Sequence, residues 1–372
     1  MVQDFHKMTI LQSLFSPRIP FSPSTTSVVN ATGGNDIAIY GTYKVHIFTG
    51  PGTFTVISAP STTQILYWVI GGGGGGGAGG ESPNAGYCGG GGGGGGFRSA
   101  ILPLQTFATP SSGPGPWTLP VTVGAGGAGG TDNVPSNPSS LSVTGYGFNG
   151  SPSTFAIRFA PLNQIVIATG GGGGASYYIP NSSGVIYPGN PGGSGGGTVQ
   201  QYNAAYTTSY GGLGNAPPAP PTWDGPQGYP GGSYPNAIGP TPVRSWGSGG
   251  GGAGGYGGNG SPVFSVPDWY LGGIGKAVPV VPINYGDPSQ LFAGGGEGGT
   301  RPSIPTAPTV PEPGTSPGYS PGGGGRKDPT KSPANPGLTN TGGGGAGVSG
   351  TTSGRSGGAG APGIVVVAYL YQ

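Results

Sequence analysis

Residues 68–97 read WVIGGGGGGGAGGESPNAGYCGGGGGGGGF, and the fold turns on how this stretch is understood. An apolar run closes on seven glycines, then AGG; the link ESPNAGYC (81–88) follows, and then eight more glycines. Each ordered glycine loses more backbone freedom than any other residue, by about 0.5–1 kcal/mol relative to alanine. Two adjacent runs are therefore either flexible linker or a structure whose contacts are made by the backbone itself. In an extended left-handed helix of three residues per turn there are no internal hydrogen bonds, so every N–H and C=O needs an outside partner. Rods without side chains can lie side by side and bond to their neighbours in several directions. Eight residues at about 3.1 Å each reach roughly 25 Å, and the 81–88 link is short enough to join two adjacent antiparallel rods. The expectation is a polyglycine II bundle, with the isolated Ala78, Ser194, Ala253 and Ala346 facing outward from their tracts. Collagen is excluded, because no Gly-x-y period persists.

Composition narrows the alternatives. Glycine (90) and proline (43) together exceed a third of the 372 residues, a balance that usually marks a low-complexity chain. Charged residues are only 6% and the net charge is +2, so repulsion does not hold the chain open. Apolar residues make up 33% and aromatic residues 10%. That aliphatic content is low for large conventional cores, so the bundle is expected to supply rigidity without a hydrophobic core. Cys88 is the only cysteine, which rules out an intramolecular disulfide. The weak charge argues against nucleic acid as a partner. The apolar run ILYWVI (65–70) is far short of the about 20 residues of a membrane span. The start, MVQDFHKMTILQSLFSPRIPF, lacks the pattern of a signal peptide, so the expectation is synthesis in a cytoplasm without an export address.

Along the chain, Phe5, Met8, Leu11, Leu14 and Phe15 recur at helical spacing before Pro17, which gives either a helix folded back on its own chain or a docking peptide. Residues 36–70 read as β-structure: TYKVHIF (42–48), a GPG turn (50–52), TFTVIS (53–58) and QILYWVI (64–70). His46 within this pattern is expected to be a packed or surface side chain. Strand-like WTLPVTV (117–123) and LNQIVIAT (162–169) also lead into glycine runs, and GIVVVAYLY (363–371) closes the chain. The fold class predicted is thus mainly β and irregular: a small β-region, a polyglycine II helix bundle with long loops, and a closing C-terminal strand.

The loops between tracts have their own chemistry. Those holding Tyr177, Tyr178, Tyr202, Tyr206 and Tyr210 are rich in Tyr, Ser, Asn and Gly, while those holding Trp223, Tyr229, Tyr234, Trp269 and Tyr270 add tryptophan. Such residues dominate antibody contact loops, because rigid amphipathic rings give large contact area at low entropy cost. Flat rings also suit the apolar face of a sugar. These ten are the candidate binding residues, against the alternative that the rings only cover the bundle. No catalytic group is evident: His6 and His46 are far apart, the ten acids are scattered, and no metal-ligand spacing occurs. Gly275-Lys276 is followed by Ala277, so no phosphate loop forms. An enzyme is not expected, and neither cofactor nor metal is called for.

The order of motifs resembles a known pattern. YKVHIFTGPGTFTV (43–56), ILYWVIGGGGGGGAGG (65–80), GGGGGGGGFRSAIL (89–102), LPVTVGAGGAGG (119–130) and the closing GGAGAPGIVVVAYLY (357–371) resemble the glycine-rich domain of bacteriophage tail-fibre and related virion proteins. The resemblance covers about residues 36–372. It departs in the long proline-rich loops of about 176–245 and in residues 1–35. It implies a virion protein made in the host cytoplasm, with a virion-docking segment (1–35, candidates Phe5, Met8, Leu11, Leu14 and Phe15), a β-rich region (36–70) and a polyglycine bundle (71–372). The implied role is a tail-fibre or tail-tip adhesin for a host-surface glycan or outer-membrane protein. The alternative is a capsid or tail decoration or connector. A homotrimer and a bundle closed within one chain both remain open. An ice- or surface-binding role would need evenly spaced threonines on a flat face, and none is visible in the sequence.

Overall fold

The structure, a computed structural model, describes residues 29–60, 63–79, 81–82, 85–86, 88–103, 116–131, 145–158, 163–178, 185–186, 188–201, 208–215, 226–235, 245–259, 270–282, 284–299, 319–326, 333–348 and 356–371. These are mainly β, with no helix among them. Ten strands form two five-stranded antiparallel sheets: β1 (Asn30–Thr32), β2 (Asp36–Tyr40), β3 (Tyr43–Phe48), β4 (Gly52–Ser58), β5 (Gln64–Ile70), β6 (Phe97–Pro103), β7 (Trp117–Thr122), β8 (Ser153–Arg158), β9 (Asn163–Ala168) and β10 (Ile364–Leu370). The first sheet runs β1-β4-β7-β8-β9 and the second β2-β3-β10-β5-β6. Shorter two- and three-residue ladders join some loops. The closing strand β10 lies between β3 and β5, with Val366 opposite both Ile47 and Trp68.

The sheets face each other over a shared core. Phe54, Val56, Leu119, Val121, Phe155 and Val166 of the first meet Phe48, Ile65, Tyr67, Val69, Val365 and Val367 of the second. The opposite face of the second sheet is covered too. Val45, Ile47, Leu66, Trp68, Ile70, Ile364 and Val366 pack with Val278, Val280, Val281, Phe292 and Ala293. Burial on both faces explains why QILYWVI and IVVVAYL are continuous apolar runs rather than alternating ones. The first sheet alternates instead: in β4 Phe54 and Val56 point inward while Thr53 and Ile57 are exposed. The expectation of rigidity without a hydrophobic core is corrected here. The aliphatic residues are few but gathered into ten strands, so two cores form from a poor average composition.

His46, fully buried, is a packed histidine in the inter-sheet core. At the corner between β1 and β2, Gly33 and Gly34 have φ of 109° and 97°, which turns the chain from one sheet to the other.

Several glycine tracts continue from a sheet strand: 71–78 leaves β5, 89–96 enters β6, 124–130 follows β7, 170–174 leaves β9 and 357–363 enters β10. The backbone partners of 71–78 return every third residue. The N–H groups of Gly71, Gly74 and Gly77 donate to the oxygens of Gly96, Gly93 and Gly90; those of Gly72, Gly75 and Ala78 donate to Ser151, Phe148 and Gly145; and those of Gly73 and Gly76 donate to Ala361 and Gly358. Its carbonyls are used by three further tracts: Gly72 and Gly75 accept from Gly171 and Gly174, Gly73 and Gly76 from Gly127 and Gly130, and Gly74 and Gly77 from Gly345 and Val348. The tract is therefore bonded to neighbours on every side, which answers what a glycine run of this length is for: every N–H of 71–78 and the carbonyls of 72–78 are paired rather than buried alone. The approach is close. A methyl on Gly74 would lie 2.2 Å from the Gly172 oxygen.

One expectation about the tracts is overturned. Ala78, Ser194, Ala253 and Ala346 are all buried, not outward-facing. Ala253 meets the core on the second sheet, and Ala346 packs with Ala334 and Val348, so small side chains fill gaps between layers of tracts.

Candidate binding surface

Where a tract lies at the outside, one residue in three meets solvent. In 124–131 Ala125, Ala128 and Thr131 are exposed while Gly124, Gly127 and Gly130 are buried. A more apolar surface is built from four neighbouring segments. Segment 210–214 is joined to 226–233 by Gly231 N–H donating to Gly212 O at 3.0 Å. Segment 226–233 is joined to 249–258 by Tyr229 N–H to Gly252 O and Gly257 N–H to Pro230 O, both 3.1 Å. Segment 254–258 is joined to 271–274 by Gly258 N–H to Leu271 O and Gly254 N–H to Ile274 O, both 2.8 Å.

The side chains left on the outside are large. Tyr210 and Leu213, three residues apart, are 66% and 69% exposed; Tyr256 is 66% and Ile274 52% exposed. The Tyr229 and Tyr256 rings lie 4.8 Å apart at 58°, a tilted pair within the range in which aromatic rings attract. Polar anchors fix the segments beneath them. Asn215 Oδ1 accepts from Gln227 N–H at 2.8 Å, Gln227 Oε1 from Thr169 N–H at 2.9 Å, and Asn259 Oδ1 from Ser233 N–H at 2.9 Å. The arrangement is a fixed, uncharged set of rings and aliphatic groups, suited to binding by contact rather than to chemistry on a bond.

Of the ten residues singled out in the sequence, Tyr210, Tyr229 and Tyr270 are described with their side chains. Tyr210 and Tyr229 stand on neighbouring segments of this surface; Tyr270, half-buried, begins the segment that carries Ile274. The backbones of Tyr177 and Tyr178 pair with Ile186 and Val185, and that of Tyr234 pairs with Ser209. Tyr202, Tyr206, Trp223 and Trp269 lie outside the described residues, as do Phe5, Met8, Leu11, Leu14 and Phe15. Tyr256 is the member that sequence reasoning missed. It sits inside a glycine run, GGAGGYGG, and its exposure is seen only in the structure.

Elsewhere the buried acids are structural. Asp287 Oδ1 accepts from the N–H groups of Ser289 and Leu291, and Oδ2 from that of Gly322. Glu297 Oε1 lies 3.2 Å from Arg326 Nε. Among the described residues, no group of three His, Cys, Asp or Glu side chains could hold a metal ion, and no helix is long and apolar enough to cross a membrane. A family model described as a glycine-rich domain matches residues 49–370. Comparison with curated proteins finds no match.

Proposed function

The chain belongs to the glycine-rich domain family, and from that premise we propose that it is a non-enzymatic virion protein of a tailed phage, acting as a tail-fibre or tail-tip adhesin. In this reading the tracts are polyglycine II helices, and the bundle is the rigid holder of a binding surface. The three-residue return of hydrogen-bond partners along 71–78 supports the bundle, because a helix with three residues per turn and no internal bonds must satisfy its backbone in that rhythm. The observation that carries the binding role is exposed Tyr210, Leu213 and Tyr256, with half-buried Tyr229 against Tyr256, on segments tied down by the bundle. Fixed rings lose little entropy on contact, which favours affinity. The partner is a host-surface glycan or outer-membrane protein, and residues 1–35 attach the protein to other virion proteins.

A capsid or tail connector is the second reading. Leu213 and Ile274, aliphatic and exposed beside the rings, favour contact with another protein over contact with a sugar. Binding of the purified full-length chain to host cells tests the choice. Saturable binding lost in Tyr229→Ala/Tyr256→Ala, or in Tyr177→Ala/Tyr178→Ala/Trp223→Ala, supports the adhesin and assigns its site. A folded chain that enters virions and binds no cell leaves the connector.

A further inference from the structure

The sandwich is open along one margin. β2 is an edge strand, and Ile37 and Ile39 are 47% and 61% exposed. Ile37 stands opposite His46 and Ile39 opposite Lys44 in the β2–β3 ladder. Directly opposed residues share a face of an antiparallel pair. His46 points into the space between the sheets, so the two isoleucines are turned toward the first sheet as well. Among the described residues that sheet has no further strand to meet them: it ends at β1, which is only three residues long.

The open margin lies where the chain enters. Val29, just before β1, is buried in the inter-sheet core, and Gly33 to Asn35 alone separate β1 from β2. The described chain therefore begins, at Val29, in the same inter-sheet space toward which the isoleucines are turned. Residues 1–28 carry an apolar pattern of their own: Phe5, Met8, Leu11, Leu14 and Phe15 at helical spacing.

We propose that residues 5–15 close this margin, packing their apolar stripe on Ile37 and Ile39. The dimensions agree. Eleven residues in a helix span about 16 Å, and the five residues of β2 span about 17 Å. The connection 16–28, with Pro17, Pro20 and Pro23, reaches up to about 43 Å when extended, ample for the return. Tethering favours this occupant over a second copy, since a short linker holds the segment at an effective concentration in the mM range. The inference rests on geometry alone and stands whether or not the chain is a virion protein. If the segment does serve docking, the margin is where it is kept until a partner takes it.

The test is disulfide trapping in the full-length chain, with the fully buried Cys88 left in place. Leu11→Cys/Ile39→Cys is compared with Leu11→Cys/Ile167→Cys, whose second site is an exposed position on the far edge of the first sheet. The expected result is an intramolecular bridge in the first pair, formed at least about tenfold faster than in the second. Equal rates, disulfide-linked dimers, or no bridge in the first pair would each overturn the proposal. Hydrogen exchange supplies an independent reading. In Met8→Asp/Leu11→Asp, exchange across β2 should speed up about tenfold while β5 stays protected. Unchanged β2 exchange in that variant would count against the proposal equally.

Discussion

The Nε2 of His46 lies 3.2 Å from the Tyr369 hydroxyl, although 323 residues separate the two in sequence. Nδ1 faces the Gly33 carbonyl oxygen at 2.7 Å. A carbonyl only accepts, so Nδ1 carries the proton and Nε2 accepts from the tyrosine. A neutral imidazole thereby ties the corner between the sheets to the closing strand, with Phe54 edge-on at 5.0 Å.

Acid should loosen this tie. Burial lowers the His46 pKa below 6.5, opposed by the Gly33 hydrogen bond and helped by the Lys44 charge. Its contribution is complete above the unfolded value and is lost as pH falls, because the unfolded chain then takes up a proton that the folded chain refuses. The melting temperature should decline between about pH 7 and 5, and His46→Asn should flatten much of that decline. An equal slope in the variant would assign the acid sensitivity elsewhere.

Alkali acts through the partner. Burial, followed by the neighbouring Tyr371, pushes the Tyr369 phenol up to about 12. The unfolded chain deprotonates first, so stability should fall as pH rises from about 10 toward 12. Tyr369→Phe should remove this alkaline loss. At neutral pH it should cost about 1–2 kcal/mol, since Nε2 is left without its donor. Denaturant midpoints of the two proteins at neutral and alkaline pH check both statements.

The tracts should tolerate no side chain in their interior. Gly74→Ala would set a methyl 2.2 Å from the Gly172 oxygen, and Gly92→Ala would set one 2.1 Å from the Gly74 oxygen. Each should cost about 3 kcal/mol, or prevent folding. Ala128→Ser, on the exposed face of its tract, should change stability by no more than about 0.5 kcal/mol. Chemical denaturation of the three variants would reveal the contrast, and a stable Gly74→Ala protein would refute the close approach.

Glu297 and Arg326 predict an order of effects. The carboxylate is almost wholly buried, whereas the guanidinium is 27% exposed. Removing the arginine strands a buried charge; removing the charge of the acid leaves a cation that water reaches. Arg326→Met should cost about 3 kcal/mol and Glu297→Gln clearly less. Thermal melts of both variants test the order, and the reverse would mean that the carboxylate is held mainly by other groups.

Much of the sandwich was legible in the sequence. The patterns at 42–48, 53–58, 64–70, 117–123, 162–169 and 363–371 coincide with β3, β4, β5, β7, β9 and β10. Their alternation or apolar continuity is a local property. β8 escaped notice because Phe155, Ala156 and Ile157 make too short an apolar run between glycine and proline. Pairing is not local, so nothing in the sequence says that β10 enters between β3 and β5. For the same reason Thr53, Thr55, Thr118 and Thr122, from two paired strands, share the outward face of the first sheet unannounced by their spacing. At the candidate surface, the richness of the loops in tyrosine pointed to Tyr210 and Tyr229. Finding Tyr256, like finding the buried alanines, required the third dimension of the stack, since Ala253 three residues before it is buried.

The rhythm of the bonds along 71–78 also limits how such a gene can drift. With partners returning every third residue, one inserted glycine turns all that follows by about a third of a turn. Every later amide would then address a different neighbour, and each outward residue would rotate inward. Replication slippage that adds or drops three codons slides a tract along itself and keeps every partner direction. A single-codon slip leaves the reading frame intact and still scrambles the wiring of the protein.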